Sequence, residues 1–151
     1  MIKALIFDLD NCIADDHCEP LRSFGDEGCI KELGAQAFLV TCGDTEEQGL
    51  KIDELGLADI FDQIVIIDKQ EDQDLCAPKL EVFSKLLDER GWSAGEVMVI
   101  GDDAESELAA AQKLGIQTIQ TLRPGVKKWN QATYHVTSLY QLKGIVGAMR
   151  A

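Results

Sequence analysis

The sequence predicts an α/β fold in which one parallel β-sheet carries helices on both faces. Short apolar runs typical of buried strands alternate with helical patterns along the whole chain. Strands joined by helices run parallel, because each crossover is right-handed and packs its helix on the sheet. A length of 151 residues is typical of one domain with a sizeable core, so we expect a single domain over residues 1–151.

The first two strands are expected on either side of a long loop. KALIFD at residues 3–8 is a short apolar run suited to a strand that is buried on both faces. Residues 11–25 are polar and irregular, which predicts a loop. A short helix is expected at residues 26–34, where Gly34 can end it. AFLVT at residues 37–41 predicts the second strand.

A capped helix is expected between the second and third strands. Asp44 can cap it, and Glu47 follows three residues later in a variant of the capping box. The helix should run to about Leu55, because a glycine follows. QIVII at residues 63–67 predicts the third strand, which ends at Asp68.

The next helix and strand follow a polar connection. Pro78 suits the first position of a helix, and an apolar stripe continues to Gly91. VMVIG at residues 97–101 predicts the fourth strand. A further helix has its apolar face at residues 108–114 and ends before Gly115.

The C-terminal part of the chain supplies the fifth strand and the last helix. IQTIQT at residues 116–121 predicts the strand. His135 is expected in a minor strand, with no partner evident from the sequence. An apolar pattern from Leu139 to Met149 predicts a final amphipathic helix.

Charge and cysteine content restrict the function. The chain has 14 Lys and Arg against 27 Asp and Glu, and the net charge of −13 argues against nucleic acid and against an anionic membrane surface as partners. No apolar stretch is long enough to span a bilayer, and the N-terminus enters a strand without a signal peptide. Five cysteines without a CxxC pair are expected to be reduced thiols, so we expect a cytoplasmic protein.

Acidic side chains are expected to gather at one edge of the sheet. The carboxyl ends of parallel strands meet at the same edge, and ligands of such folds bind there. Acids at three strand ends, with one hydroxyl and one lysine, are typical of a site for magnesium and phosphate. The strand ends present Asp8, Asp10, Thr41, Asp68, Asp102 and Asp103, and Lys79 begins a helix nearby.

Each of these side chains has a chemical use at such a site. Asp8 and Asp10 leave the same face of an extended backbone, so one can attack phosphorus while the other handles the proton. A hydroxyl at Thr41 can donate to a phosphoryl oxygen, and Lys79 can stabilise the developing negative charge. Asp102 can complete the shell of a hard cation such as Mg²⁺.

Four motifs in this order resemble the haloacid dehalogenase superfamily of aspartyl-nucleophile phosphohydrolases, over nearly the whole chain. The first is an apolar strand that ends in DxD, and the second is an apolar strand that ends in Thr or Ser. The third is a lysine that begins a helix, and the fourth is an apolar strand followed by GD and a further acid. They stand here as FDLD, FLVTCGD, APKLEVF and VIGDDAESE.

The resemblance implies a role for each acid. Asp8 would be the nucleophile that forms an aspartyl-phosphate. Asp10 would protonate the leaving oxygen and then activate water, and its backbone carbonyl would join the Mg²⁺ shell with Asp8 and Asp102. The further acid of the fourth motif falls on Glu107 by spacing, although Asp103 could share its role as a metal ligand. The second aspartate of the first motif favours phosphate chemistry over dehalogenation.

The resemblance also implies the architecture. It predicts a Rossmann-like three-layer sandwich with a central five-stranded parallel sheet in the order 5-4-1-2-3. The segments from Asp10 to Thr41 and from Thr41 to Lys79 are occupied by the elements above, so no separate cap domain is expected. Cys12 departs from the family pattern, which usually has Thr or Val at that position.

The substrate is expected to be a phosphorylated small molecule or a phosphoprotein. Its phosphate would contact Thr41, Cys42 and Lys79. The basic segment TLRPGVKKW follows the fifth strand, and Arg123 in it could bind a second anionic group on the substrate. A solvated basic turn is the alternative for this segment. An uncapped site implies a large substrate that covers it, or a homo-oligomer in which a neighbouring subunit closes it.

Two competing assignments concern the phosphate-binding lysine and a zinc site. Lys69 also follows a strand and competes with Lys79 for the phosphate, but Lys79 has the context of a helix start. A zinc site is the second, although its spacing lacks a tight chelating pair. Its ligands would be Cys12, His17, Cys18 and Cys29.

Two other functions fit parts of the sequence. A phosphoacceptor receiver domain would use Asp68 and the Arg123–Pro124 pair, but it needs Ser or Thr where Gly101 and Asp102 end the fourth strand. An inactive relative that only binds its ligand is the second alternative. A phosphatase assay with Mg²⁺ separates these possibilities.

Overall fold

The computed structural model of the chain describes residues 1–69, 74 and 76–148. Strands and helices alternate along it, which confirms the α/β prediction. The strands are β1 (Ala4–Phe7), β2 (Ala14–Asp15), β3 (Arg22–Ser23), β4 (Gln36–Gly43), β5 (Gln63–Asp68), β6 (Val97–Gly101), β7 (Gln117–Thr121) and β8 (Tyr134–Val136). The α-helices are α1 (Thr45–Glu54), α2 (Cys76–Arg90), α3 (Glu107–Lys113) and α4 (Leu142–Ala148).

The main sheet is parallel throughout and has the order β5-β4-β1-β6-β7-β8. Strands β7, β6, β1, β4 and β5 reproduce the predicted order 5-4-1-2-3, which is therefore confirmed. The predicted number of strands is one too low, because β8 adds a sixth strand beside β7. Strand β8 has three residues, which are too few to show the hydrophobic pattern that would identify a strand of the main sheet.

Helices cover both faces of the sheet. Successive side chains of a strand point to opposite faces, and β1 is buried on both. Leu5 and Phe7 belong to a core cluster that includes residues of α1 and α4. Ala4 and Ile6 belong to a second cluster that includes residues of α2 and α3. The architecture is thus the predicted three-layer sandwich.

The segment expected as a loop at residues 11–25 contains regular structure. Strands β2 and β3 pair antiparallel in it and form a small second sheet. Two-residue strands carry too little alternation to be recognised from sequence. The short helix expected at residues 26–34 is a 3₁₀ helix at Glu27–Glu32.

Helix ends differ from the predicted ones by a few residues. The cap at Asp44 is confirmed, since its side chain accepts from the Glu47 N–H at 3.0 Å. Helix α2 begins at Cys76, two residues before Pro78. The last helix begins with a 3₁₀ turn at Leu139–Gln141, and Met149 lies outside the described residues. Within the described part of the chain, no helix is long and apolar enough to cross a membrane.

Candidate active site

Three carboxylates meet at the carboxyl edge of the sheet. Asp8 directly follows β1, and its N–H donates to the Ile100 carbonyl of β6 at 3.0 Å, which brings it beside Asp102. Carboxylate oxygens of Asp8, Asp102 and Glu107 all lie within 4.8 Å of one another. Asp8 and Glu107 are buried, with 8% and 1% exposure. Such a group of oxygen ligands is suited to a hard divalent cation.

Lys79 joins this cluster from helix α2. Its Nζ lies 3.2 Å from Oδ1 of Asp8 and 3.3 Å from Oε2 of Glu107. The side chain is almost completely buried between the two acids. The competing lysine, Lys69, follows β5 and donates its backbone N–H to the Gly43 carbonyl. The geometry therefore favours Lys79 over Lys69 as the lysine of this site.

The cluster carries more negative than positive charge. Burial raises the pKa of Asp8 well above its ordinary value, and the neighbouring Glu107 raises it further. Burial and the charge of Asp8 raise the pKa of Asp102 to about 7. Burial alone would lower the pKa of Lys79, but Asp8 and Glu107 outweigh it and the pKa is raised. With all three acids ionised, the one lysine would leave two negative charges, which a divalent cation would balance.

A further oxygen points to the same place. The Ser106 hydroxyl oxygen is buried and has no hydrogen-bond partner. It lines a cavity of about 160 Å³ together with Asp8, Asp102 and Glu107. Buried polar atoms are nearly always paired in native proteins, so the unpaired Ser106 hydroxyl is available to a ligand in the acidic cavity. These residues fit Mg²⁺, which prefers oxygen ligands and keeps several waters.

The fourth motif holds Glu107 against the end of β6. A Cβ atom at Gly101 would overlap the Glu107 carboxylate, so a side chain there would displace it. The N–H of Asp103 donates to Oε1 of Glu107 at 3.2 Å. The carboxylate of Asp103 instead accepts from the Glu105 N–H at 2.9 Å and does not belong to the group of three. Of the two candidates for the further acid, the structure brings Glu107 to Asp8.

Asp10 lies beside the cluster and is held by helix α1. Lys51 Nζ lies 2.9 Å from Oδ1 of Asp10 and 3.2 Å from Oδ1 of Asp16. The amide nitrogen of Gln48 lies 3.2 Å from Oδ2 of Asp10. Gln48 and Lys51 are not among the residues predicted for the site from the sequence. Their spacing could have indicated this role. Residues three apart lie on the same face of a helix, and α1 begins directly after β4, at the edge of the sheet where the acids lie.

Thr41 is fixed by the same glutamine. Its Oγ1 accepts from the Gln48 amide at 2.7 Å, and the residue is 1% exposed. A hydroxyl that accepts one bond still has its own hydrogen to donate. Cys42 lines the small acidic cavity next to it, together with Asp10 and Lys79.

The turn after Asp10 has an unusual backbone conformation. Asn11 has φ of 58°, in the left-handed region, which Asn tolerates better than most residues. Its carbonyl accepts from Thr121 Oγ1 at 3.2 Å. Cys12 follows, fully buried, and its Sγ lies 3.8 Å from the Ile100 carbonyl. The small thiol thus fits where the family usually has Thr or Val.

Arg123 does not reach the site entrance, and its assignment to substrate is corrected. It is 6% exposed, and its guanidinium lies 2.8 Å from both carboxylate oxygens of Asp26. It also donates twice to the Cys12 carbonyl, at 2.6 and 3.0 Å, and once to Thr137. Phe24 packs on it, with 4.1 Å from the guanidinium carbon to the ring centroid. All five donors are therefore used inside the protein.

The structure does not bring the suggested zinc ligands together. Among the described residues, the group formed by Asp8, Asp102 and Glu107 is the one with metal-binding geometry. Cys29 is instead directed at the Leu139 carbonyl, 3.4 Å away. All five cysteines are free thiols.

Comparison with known proteins relates the chain to one family. The family model of haloacid dehalogenase-like hydrolases matches residues 29–121. A glyceraldehyde 3-phosphate phosphatase of Methanocaldococcus jannaschii is 29% identical over 120 residues, which cover 78% of this chain and 51% of the relative. A second, from Pyrococcus abyssi, is 28% identical over 90 residues, with 60% and 37% covered. The chain spans about half or less of the length of these relatives.

Solved structures share the fold. A protein from Listeria monocytogenes serotype 4b, described as uncharacterized, has a TM-score of 0.78 at 16% identity, with 99% of both chains covered. A HAD phosphatase from Thermococcus onnurineus has a TM-score of 0.74 at 18% identity, with 97% of this chain and 98% of the other covered. Identities this low show the fold alone. The family match covers more than half of the sequence, so the chain belongs to the haloacid dehalogenase-like hydrolases.

Proposed function

We propose that the protein hydrolyses phosphomonoesters with Mg²⁺, through an aspartyl-phosphate on Asp8. The observation that carries this proposal is the buried cluster of Asp8, Asp102 and Glu107 with Lys79 between two of them. A buried excess of carboxylate is costly unless a cation balances it. The phosphatase names of both curated relatives support the same reaction.

The proposed first step transfers the phosphoryl group to the protein. Mg²⁺ held by Asp8, Asp102, Glu107 and the Asp10 carbonyl would neutralise charge on the phosphoryl oxygens. An Asp8 oxygen attacks phosphorus, and the bond from phosphorus to the ester oxygen breaks. Asp10 gives its proton to the leaving oxygen, which departs as an alcohol.

The second step regenerates the carboxylate. A water molecule loses a proton to Asp10 and attacks phosphorus, and the bond between the phosphoryl group and Asp8 breaks to release phosphate. In both steps the Lys79 ammonium faces the negative charge on the transferring group, and the Thr41 hydroxyl donates to one of its oxygens.

We further propose a single domain without a cap, acting on a phosphorylated small molecule. The curated relatives named for a three-carbon phosphate support a small substrate over a phosphoprotein. The segment from Asp10 to Thr41 carries the β2–β3 hairpin and a 3₁₀ helix before β4. If a small substrate needs a lid, a neighbouring subunit would supply it.

The receiver alternative has less support. Asp68, its required phosphoacceptor, is exposed, and its Oδ1 accepts from the Thr45 hydroxyl at 3.1 Å. It does not belong to the carboxylate group around Asp8. The basic residue of the receiver pattern, Arg123, is used by Asp26 and Cys12.

Substitution of one acid at a time tests the proposal. Asp8→Asn keeps the volume but removes the nucleophile, so turnover of p-nitrophenyl phosphate with Mg²⁺ should fall by at least about 10³-fold. Asp68→Asn is the matched control, with the same change at a nearby strand end, and should leave turnover unchanged. Circular dichroism checks that both variants fold. Full activity of Asp8→Asn would exclude the covalent mechanism on Asp8. A receiver would turn nothing over and would instead be phosphorylated on Asp68. A wild-type protein without activity on any phosphomonoester would favour an inactive relative.

A further inference from the structure

A second and larger cavity lies directly beside the acidic one. This cleft of about 430 Å³ reaches from Asp102 and Asp103 to the loop between β7 and β8. Its lining includes Lys127, Lys128 and Trp129. The volume falls within the range of small-molecule sites. Because Asp102 belongs to both cavities, a group bound in the cleft would be adjacent to a phosphoryl group at Asp8.

The cleft is built around one buried side chain. Gln120 of β7 is 0% exposed. Its amide nitrogen donates to the Asp102 carbonyl at 3.0 Å and to the Lys127 carbonyl at 2.9 Å. Its amide oxygen accepts from the Trp129 N–H at 2.7 Å. The side chain thus uses its donors and acceptor to hold the two walls of the cleft at a fixed separation.

A histidine fixes the same loop from the other side. The Nε2 atom of His135 lies 2.7 Å from the Trp129 carbonyl, which gives His135 the partner that the sequence could not reveal. Both backbone groups of Trp129 are therefore bound by side chains of β7 and β8. A loop held at these points presents its side chains in a defined place, which lowers the entropy cost of binding a ligand.

The two lysines of this loop are free to bind a ligand. Lys127 and Lys128 are exposed, and neither forms an ion pair or a hydrogen bond through its ammonium group in the part of the chain that the structure describes. One side of the cleft carries the acids Asp102, Asp103 and Glu105. On the other side, two adjacent unpaired cations in a chain of net charge −13 favour a negatively charged group. Arg123, four residues before Lys127, is not available for this purpose.

We propose that this cleft receives the leaving group of the substrate, and that Lys127 and Lys128 bind a second anionic group on it, a carboxylate or a phosphate. The inference rests on the proposed function, because it takes the phosphoryl group to sit at Asp8. Two unpaired ammonium groups are matched by an anion better than by a neutral polyol. The substrate class is therefore a small phosphomonoester with a second negative charge at its far end.

Pairs of substrates that differ in that one group test the proposal. 3-Phosphoglycerate and glycerol 3-phosphate share a three-carbon chain and differ by carboxylate against hydroxymethyl. 1,3-Propanediol bisphosphate and its monophosphate make the same comparison for a second phosphate. In at least one pair, we expect kcat/KM of wild type to be at least about tenfold higher for the member that carries the second anionic group. The pair with the larger ratio identifies which anion the cleft prefers.

Variants of the lysines assign the preference to the cleft. Lys127→Ala/Lys128→Ala should reduce the ratio within a pair by about tenfold or more, and Lys127→Arg/Lys128→Arg should retain it. Lys113→Ala is the matched control, because this exposed lysine ends α3, away from the helix start that carries Glu107. A ratio that is the same in wild type and in the double alanine variant overturns the proposal. An equal loss in Lys113→Ala also overturns it, since that would be an effect of total charge.

A binding measurement separates this proposal from the proposed function. Calorimetry on Asp8→Asn protein with Mg²⁺ gives the Kd of each compound without turnover. Tighter binding of the anion-bearing compound, lost in the double alanine variant, supports the cleft even if wild type hydrolyses neither. Asp8-dependent hydrolysis with equal Kd and equal kcat/KM within both pairs leaves the proposed function intact and refutes the cleft.

Discussion

The ammonium of Lys51 and the carboxylate of Asp10 form an ion pair of 2.9 Å between helix α1 and the turn after β1. The other oxygen of Asp10 is bound by Gln48. Burial opposes the charge of Lys51, but Asp10 and Asp16 outweigh this effect and raise its pKa. Both oxygens of the proposed acid and base are therefore held by helix α1, which fixes the orientation of this side chain beside the site.

We expect Lys51→Met to impair this orientation of Asp10. The loss should depend on the leaving group, because alkyl phosphates need a proton from Asp10 and p-nitrophenyl phosphate hardly does. We predict a fall in kcat of about tenfold or more for glycerol 3-phosphate and a smaller fall for the aryl ester. Steady-state kinetics on both esters measure this difference. Lys31→Met, at an exposed lysine of the 3₁₀ helix, is the control. Equal losses on both esters would indicate a structural role for Lys51 and not one in positioning Asp10.

Mg²⁺ should stabilise the protein. Without the cation, the charges of Asp8, Asp102 and Glu107 exceed that of Lys79, and the cation removes this repulsion. At a Mg²⁺ concentration of 100 times the Kd, linkage gives about 2.7 kcal/mol, a rise in Tm of about 5–10 °C for a chain of this size. Thermal melts of chelator-treated protein with and without Mg²⁺ measure it. The rise should be absent from Asp102→Asn, and an unchanged Tm of wild type would contradict a metal at this site.

Gly101 should be essential for the cluster. Alanine at this position would force Glu107 away from Asp8, because its Cβ would occupy the place of the Glu107 carboxylate. We predict that Gly101→Ala loses both phosphatase activity and the Mg²⁺-dependent rise in Tm. In Gly144→Ala the new Cβ meets no atom within 4 Å, so this helical variant should keep both and gain about 0.4–1 kcal/mol. Normal Mg²⁺ stabilisation of Gly101→Ala would show that Glu107 is not a ligand.

Arg123 should matter for stability and not for substrate affinity. Arg123→Met leaves Asp26 buried without its partner, which should cost about 3–5 kcal/mol in the free energy of unfolding. Urea denaturation measures this loss. In Arg123→Met/Asp26→Leu no charge is left unpaired, so much of the loss should be recovered. A KM that rises in Arg123→Met without a loss of stability would restore the substrate-binding interpretation.

The same ion pair predicts how stability depends on acid. Burial opposes ionisation of Asp26, but its bonds to Arg123 and the Leu139 N–H outweigh this and lower its pKa below 3.8. A carboxyl group whose pKa is lower in the folded than in the unfolded state stabilises the fold at pH values above its unfolded pKa. This contribution is lost as the pH falls through the folded pKa. The free energy of unfolding of wild type should therefore fall below pH 3.8 more steeply than that of Asp26→Asn. If the free energies of unfolding of wild type and Asp26→Asn fall equally with pH, Asp26 makes no such contribution to stability.

The acidic cluster has the opposite dependence. The pKa of Asp102 is raised from 3.8 to about 7, mainly by burial and by Asp8. Because the pKa is higher in the folded state, the free energy of unfolding decreases as the pH rises from the unfolded pKa to the folded pKa. Metal-free protein should therefore become less stable between pH 4 and pH 7, and saturating Mg²⁺ should flatten this slope. Melts across this range, with Asp102→Asn for comparison, measure it.

The fold and the acidic cluster were largely predictable, because both depend on short-range patterns. In β1 and β6 an apolar run is followed directly by an acid, so the carboxyl edge brings Asp8 beside Asp102, and Glu107 joins them from the start of α3. Arg123 was misassigned for a physical reason. The carboxylate that neutralises it, Asp26, lies 97 residues earlier, and no local pattern connects the two. The partners of Gln120 and His135 were also not predictable. Both side chains bind backbone carbonyls, which every residue has, so no residue type indicates the partner.

From the bonds of Gln120 we expect ligand binding in the two cavities to be thermodynamically coupled. The backbone carbonyls of Asp102 and Lys127 accept from the same amide nitrogen of Gln120. Binding that orders the segment around Asp102 should therefore also order the loop around Lys127. A cation at Asp102 should then tighten the cleft ligand by a certain factor, and the ligand must tighten the cation by that same factor. The protein would thus discriminate among ligands most sharply when its metal is in place. In Gln120→Ala this coupling factor should fall towards one, so that each site is filled almost independently of the other.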